Sequence, residues 1–314
     1  MKIPHTNPAL NIFGVHNNSL TDAEVAVLGV PFDMGYHPTR IGSRGGPDHI
    51  RMNSMLVAEA SRYSGLDPIS ASNLVDLGNV EVTPSQIDES YRNIEAAMSE
   101  LFARGVVPVT MGGDGAVTLP QLRAVHKAFG QVTVLHFDAH TDAYPRTKPQ
   151  LYNNANCFVH AAKEGLVDVS ASIHAGIRDT SGGDDKGVMQ DAIDIGYRVL
   201  TMDYFAQVGI EAFIKDLRSS LDGKNVYLCW DMDVFDPSVA PGVVTPSWGG
   251  FTTREGLQIL RGLSGLNFVS FDINTVSPPH DRAGQTGSLA SHVILEFLKL
   301  KMACPSPRNV SKTG

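Results

Sequence analysis

The 314 residues are 42% hydrophobic and 18% charged, with a formal net charge of −8. A chain of this size and apolar content can bury a sizeable core. Its acidic balance speaks against nucleic acid, which needs clustered Lys and Arg to displace counterions.

The first residues, MKIPHTNPALNIFG, hold no apolar signal-peptide run. No stretch reaches the roughly 18 apolar residues of a membrane span. Cys157, Cys229 and Cys304 are odd in number and far apart, with no CxxC pair, which does not read as a disulfide framework. A soluble cytoplasmic protein is expected, with neither membrane nor nucleic acid as partner.

In chain order, short apolar runs predict strands at Val25–Val30, Leu74–Leu77, Val106–Thr110, Val132–Phe137, Ile173–Ile177, Val226–Trp230 and Phe268–Ile273. Helical patterns are predicted at Ser85–Arg104, Leu119–Phe129, Asp203–Leu221, Thr253–Leu263 and Gly287–Leu298. Ser85 with Glu89, and Thr253 with Glu255, put cap-like residues near two helix starts without a strict capping box. The helix Gly287–Leu298 is read as facing the core. Strands alternating with helices give an α/β class with a parallel sheet covered on both faces. No linker divides the middle, so residues 1–303 are read as one domain. Residues 304–314, CPSPRNVSKTG, are read as a loosely held tail.

Ligands of such folds gather at the carboxyl ends of the strands. Three predicted strands end in chemistry-bearing segments: MGGDG, DAHTD and DMDVFDP. DAHTD offers Asp138, His140 and Asp142 at i, i+2, i+4; DMD offers Asp231 and Asp233. Four carboxylates and one imidazole at one sheet edge suit divalent cations such as Mn²⁺ or Ni²⁺. Bridging carboxylates can hold two ions about 3.5–4 Å apart with a nucleophilic hydroxide between them. Asp236, before Pro237, is read as organising its turn, and His136 as a core histidine.

The chain resembles the ureohydrolases, the arginase and agmatinase family. The resemblance is carried by GVPFDMG (29–35), GSRGGPDHIR (42–51), DLGNV (76–80), MGGDG (111–115), HFDAHTDAY (136–144), AAKEGLVD (161–168), GIRD (176–179), DMDVFDPSVAPG (231–242), GGFTTREGLQIL (249–260) and SFDINTVSPPHD (270–281). These stretches stand in family order and span nearly the whole chain. The resemblance implies a three-layer α/β/α domain with a mostly parallel eight-stranded sheet, in trimers or hexamers. It also implies hydrolysis of a guanidinium group to urea and an amine at a dinuclear Mn or Ni centre.

Three positions depart from the family pattern. Where the family has Gly-Gly-Asp-His-Ser, with the His on the first metal, this chain has Gly115 and Ala116. Where a later His serves as proton shuttle, aligning back from AAKEGLVD places Asn154, an amide that cannot act as a general acid. His160, six residues on, is a weak substitute. Where a Glu before Val-Ser-Pro grips the guanidinium, this chain has Thr275.

What remains is Asp138, His140, Asp142, Asp231 and Asp233, a partial or vestigial metal set with no catalytic residue beside it. Two like charges about 4 Å apart repel by about 4 kcal/mol at an effective dielectric near 20. Such a cluster is expected to keep at most one divalent ion, Mn or Ni, to raise carboxylate pKa values, or to recruit a Lys or Arg. The resemblance and its departures together point to a non-catalytic subunit of a heteromeric hydrolase of guanidine-type C–N bonds. Its partner would be an intact ureohydrolase paralogue holding the dinuclear Ni or Mn centre. The alternative is an independent agmatinase-like hydrolase with altered substrate and metal site.

Overall fold

The computed structural model describes residues 5–6, 10–34, 37, 39–62, 67–145, 152–178 and 188–303. The predicted tail 304–314, with Cys304, lies outside them. In chain order the strands are β1 (His5–Thr6), β2 (Val25–Gly29), β3 (Val75–Val80), β4 (Val107–Met111), β5 (Thr133–Phe137), β6 (Ile173–Ile177), β7 (Arg198–Thr201), β8 (Val226–Asp231) and β9 (Phe268–Asn274). They form one sheet in the order β1-β3-β2-β4-β9-β8-β5-β6-β7. Eight strands run parallel; two-residue β1 adds antiparallel at the β3 edge.

The helices are α1 (Gly46–Met52), α2 (Met55–Arg62), α3 (Pro68–Ala71), α4 (Ile87–Ala103), α5 (Thr118–Phe129), α6 (Cys157–Lys163), α7 (Val188–Ile195), α8 (Met202–Val208), α9 (Ile210–Leu221), α10 (Thr253–Gly262) and α11 (Gln285–Met302). They bury the sheet from both sides, and alternation along each strand decides which residue goes to which side. Val25, Val27, Val109, Leu135, Phe137, Leu228 and Trp230 share a core with Ile50, Leu217, Leu260 and Val293 of α1, α9, α10 and α11. Ala26, Leu28, Val134, Tyr227 and Cys229 face the opposite core, with Tyr91, Leu101, Leu122, Val125 and Phe158 of α4, α5 and α6. Strands covered on both faces read as unbroken apolar runs, which is why the inner strands were visible in the sequence. The expected three-layer α/β/α fold is observed.

The seven predicted strands are present. The run predicted as one helix over Asp203–Leu221 is two, α8 and α9, because Gly209 breaks it at φ +77°. The cap of α10 sits one residue earlier than expected and is a true capping box. The Thr252 hydroxyl accepts from the Glu255 amide, and the Glu255 carboxylate accepts from the Thr252 amide. Helix α11 is core-facing as expected, burying Leu289, Val293, Ile294, Phe297 and Leu298.

Outside the edge where the motifs gather, GSRGGPDHIR and DLGNV serve architecture. Arg51 of α1 is 1% exposed and forks onto both oxygens of Asp76 at 2.9 Å, with a further bond to Gly78 O. No described helix is long and apolar enough to cross a membrane.

Candidate metal centre

The four central strands β4, β9, β8 and β5 deliver the motif segments side by side at their carboxyl ends. The loop after β2 is zipped to the loop after β4: Asp114 N–H donates to Phe32 O at 3.0 Å, and Met34 N–H donates to Asp114 Oδ2 at 2.7 Å. Gly113 permits this approach, since a Cβ there would stand 1.6 Å from Phe32 O. Asp114 also caps the turn at Gly115–Val117 by accepting from the Ala116 amide.

Asp138 lies one residue beyond β5 and is the best-held carboxylate of the cluster. Its Oδ1 accepts from the His140 amide at 2.8 Å and meets His140 Nδ1 at 3.1 Å. Its Oδ2 meets His136 Nε2 at 3.1 Å. Burial raises the Asp138 carboxyl, but the hydrogen bonds from His136 and His140 outweigh it and hold the group well below the usual range.

His136, read from the sequence as a core histidine, is buried and holds Asp138 in place. Its Nδ1 lies 2.8 Å from Nδ1 of His174 on the neighbouring strand β6. Burial, then the facing His136, holds His174 well below the usual histidine range. One proton lies between the two Nδ1 atoms, and that bond fixes the ring of His136 beside Asp138. The pair sets the ring of His136 and, through it, the orientation of Asp138. Ligand atoms of His136, Asp138 and Asp142 also lie within 4.8 Å of one another, a second buried group of possible metal donors.

His140 Nδ1 faces Asp138 Oδ1 and, at 3.5 Å, Asp233 Oδ2. Ligand atoms of Asp138, His140 and Asp233 lie within 4.8 Å of one another, all buried. This is the donor set of a single divalent ion, two carboxylates and one imidazole nitrogen. Burial, then the charge of Asp138, pushes Asp233 up to about 7.

Asp142 and Asp231 complete the cluster. Burial, then the Asp138 charge, raises Asp142 well above the ordinary carboxylate range. Burial, then Asp233, does the same to Asp231. The first ion of the pair implied by the resemblance does not fit the residues present. Gly115 supplies no imidazole, and Asp142 Oδ2 stands 2.7 Å from where a Cβ on Gly115 would be.

The three departing positions converge on this cluster. Gly115 abuts Asp142 and Asn154, whose backbone oxygen is 3.4 Å from the same Cβ point. Thr275, one residue past β9, donates its hydroxyl to Asp231 Oδ1. His160, considered as a substitute acid, packs against the Tyr152 ring at 4.8 Å. Asp236 organises its turn as expected, accepting from the amides of Ser238 and Gly249 at 2.9 and 2.8 Å. Cys157 and Cys229 are buried free thiols. The sequence reading missed the His136–His174 pair, the capping role of Asp114 and the contact between Thr275 and Asp231. The alternation HxD in HFDAH carried a signal for the contact of His136 with Asp138, since i and i+2 share a face; nothing local carried the contacts with His174 or Thr275.

The family model described as the arginase family matches residues 23–299. The chain is 32% identical over 299 residues to a guanidinobutyrase of Pseudomonas aeruginosa, covering 95% of this chain and 90% of the relative. It is 35% identical over 278 residues to a guanidinopropionase of the same species, covering 88% and 86%. The solved structure of proclavaminate amidino hydrolase from Streptomyces clavuligerus superposes with a TM-score of 0.83 at 32% identity, covering 96% of this chain and 95% of that one. With the fold, the strand-end carboxylates and the sequence likeness in agreement over nearly the whole chain, this protein belongs to the arginase family.

Proposed function

We propose that this chain is a non-catalytic subunit of a heteromeric guanidine-type C–N hydrolase, assembled with an intact ureohydrolase paralogue. One observation carries the reading: Gly115, Asn154 and Thr275 meet at a single carboxylate cluster. By the resemblance, these positions hold the first ion's imidazole, the proton shuttle and the guanidinium anchor. A bare backbone, a neutral amide and a hydroxyl can do none of those three tasks. Groups that act as a unit leave little activity when even one is removed, and here the three lost groups serve separate steps.

The partner supplies the dinuclear Ni or Mn centre, and this chain supplies subunit contacts in a trimer- or hexamer-type assembly. The names of the relatives support a guanidine-bearing substrate for the complex. Metformin, a dimethylbiguanide, is the substrate we assign to it, water cleaving one C–N bond to give guanylurea and dimethylamine. That assignment rests on the likeness of this degenerate chain to the companion subunit of a heteromeric metformin hydrolase.

The test is to purify the chain alone and together with an intact paralogue encoded nearby, then measure substrate loss and metal per chain. Activity only in the mixture supports the companion role. Turnover by the isolated chain supports an independent hydrolase and overturns it.

A further inference from the structure

Asp231 faces three other carboxylates, Asp233, Asp138 and Asp142. A buried carboxylate in such company needs a cation, a proton or a donor. Its Oδ1 receives two donors, the Asp233 amide at 3.2 Å and the Thr275 hydroxyl. A threonine hydroxyl has one proton, and the carboxylate is a stronger acceptor than the Asn274 carbonyl 2.8 Å away.

The backbone of Thr275 is built for this contact. It stands at φ +66°, a conformation rare for a β-branched residue. Such a conformation persists where the surroundings over-determine it, and it clusters at functional sites. Here the Thr275 amide donates to Gly113 O at 2.7 Å, and Ser277 N–H donates to Gly242 O at 2.7 Å on the far side. Residue 275 is therefore clamped between the loop after β4 and the segment after β8, with its hydroxyl aimed at Asp231. On the other side of the cluster, Asp142 fills the space that a side chain at 115 would take.

We infer that Thr275 takes over from a cation the task of satisfying Asp231, so that the cluster is built to hold one divalent ion, between Asp138, His140 and Asp233. The substitution at 275 then does more than delete a substrate anchor. It also gives the Asp231 carboxylate a donor. This inference stands or falls independently of the companion role.

The experiment is calorimetric titration of Mn²⁺, and separately Ni²⁺, into the metal-stripped full-length chain, with metal content measured after desalting. One ion per chain is expected. Thr275→Val keeps the shape and removes the donor; Asp231 is then released as a fourth ligand, and the ion binds about tenfold tighter. Thr275→Ser keeps the hydroxyl and binds as the parent does. Two ions bound by the parent chain, or none, overturn the inference. So does a folded Thr275→Val, checked by its thermal melt, that binds no tighter. If that variant does not fold, Thr275→Ala puts the same question. Turnover by the isolated chain would refute the companion role without touching this result, and two bound ions without turnover would do the reverse.

Discussion

Asp142 Oδ2 lies 2.7 Å from the point where a Cβ on Gly115 would stand. The missing side chain at 115 and the position of the carboxylate opposite are thus one feature. Asp142 occupies the gap, and any residue larger than glycine must displace it.

Gly115→Ala is accordingly expected to destabilise the chain by about 1–3 kcal/mol, the range for overpacking a filled site. For a domain this large that is a fall in Tm of a few degrees. The double variant Gly115→Ala, Asp142→Ala should cost less than the two single changes summed, since the clash is gone. Additive costs in a thermal or denaturant cycle would show that the two residues do not compete for space.

The pH dependence of stability follows from the raised carboxylates. Burial, then the Asp33 charge, pushes Asp114 up to about 7 against hydrogen bonds from Met34 and Ala116, and Asp233 also stands at about 7. Between the usual carboxylate range near 4 and about 7, the folded chain binds protons that the unfolded chain has released. Stability from these groups is therefore full below about pH 4 and is lost as pH rises through 7. Asp138, held low, works in the opposite sense only in acid, and His174, held well below the usual histidine range, opposes the raised carboxylates as pH falls below about 6.5. In chelator, the chain should melt higher at pH 5.5 than at pH 7.5, and Mn²⁺ should restore part of the difference at pH 7.5. A melt that rises between those two pH values without metal would show that the raised carboxylates do not outweigh His174.

Arg51 and Asp76 form a buried, bidentate pair that belongs to the scaffold. Arg51→Ala leaves the buried Asp76 carboxylate with the amides of Ile12 and Gly78 but no cation, and removal of one member of such a pair costs about 3–5 kcal/mol. The expected result is a chain recovered largely unfolded or melting many degrees lower. Retention of parental stability in urea would mean that the pair carries no structural weight.

Under the proposed companion role, the cluster is expected to be idle in a complex with an intact paralogue. Asp231→Ala in this chain should leave the complex's rate close to the parent's once assembly is verified by size. Loss of a group acting in a transition state commonly costs a hundredfold or more. A drop of that size with assembly intact would place chemistry in this chain.

The inner sheet and the carboxylate edge were legible in the sequence because strands buried on both faces form apolar runs, and because i, i+2 spacing at a strand end sends Asp138 and His140, or Asp231 and Asp233, the same way. Strand β7, Arg198–Thr201, was missed: only Leu200 in it is buried, so it shows no apolar run. Helix α1 was not predicted because Gly45, Gly46 and Pro47 interrupt any helical pattern, although Pro at the first turn suits a helix start. The site's finer arrangement was not legible at all. Thr275 meets Asp231 across 44 residues, and His136 meets His174 across 38. Both contacts follow from strand order, β9 beside β8 and β5 beside β6, which local patterns do not encode.

The most direct measurement is product release by the purified chain, alone and after assembly with an intact paralogue, on guanidine-bearing substrates with Mn²⁺ or Ni²⁺ supplied. The expected result is no turnover by the chain alone and hydrolysis only in the mixture. Hydrolysis by the isolated chain at an ordinary enzymatic rate, about 1 per second or faster, would contradict it.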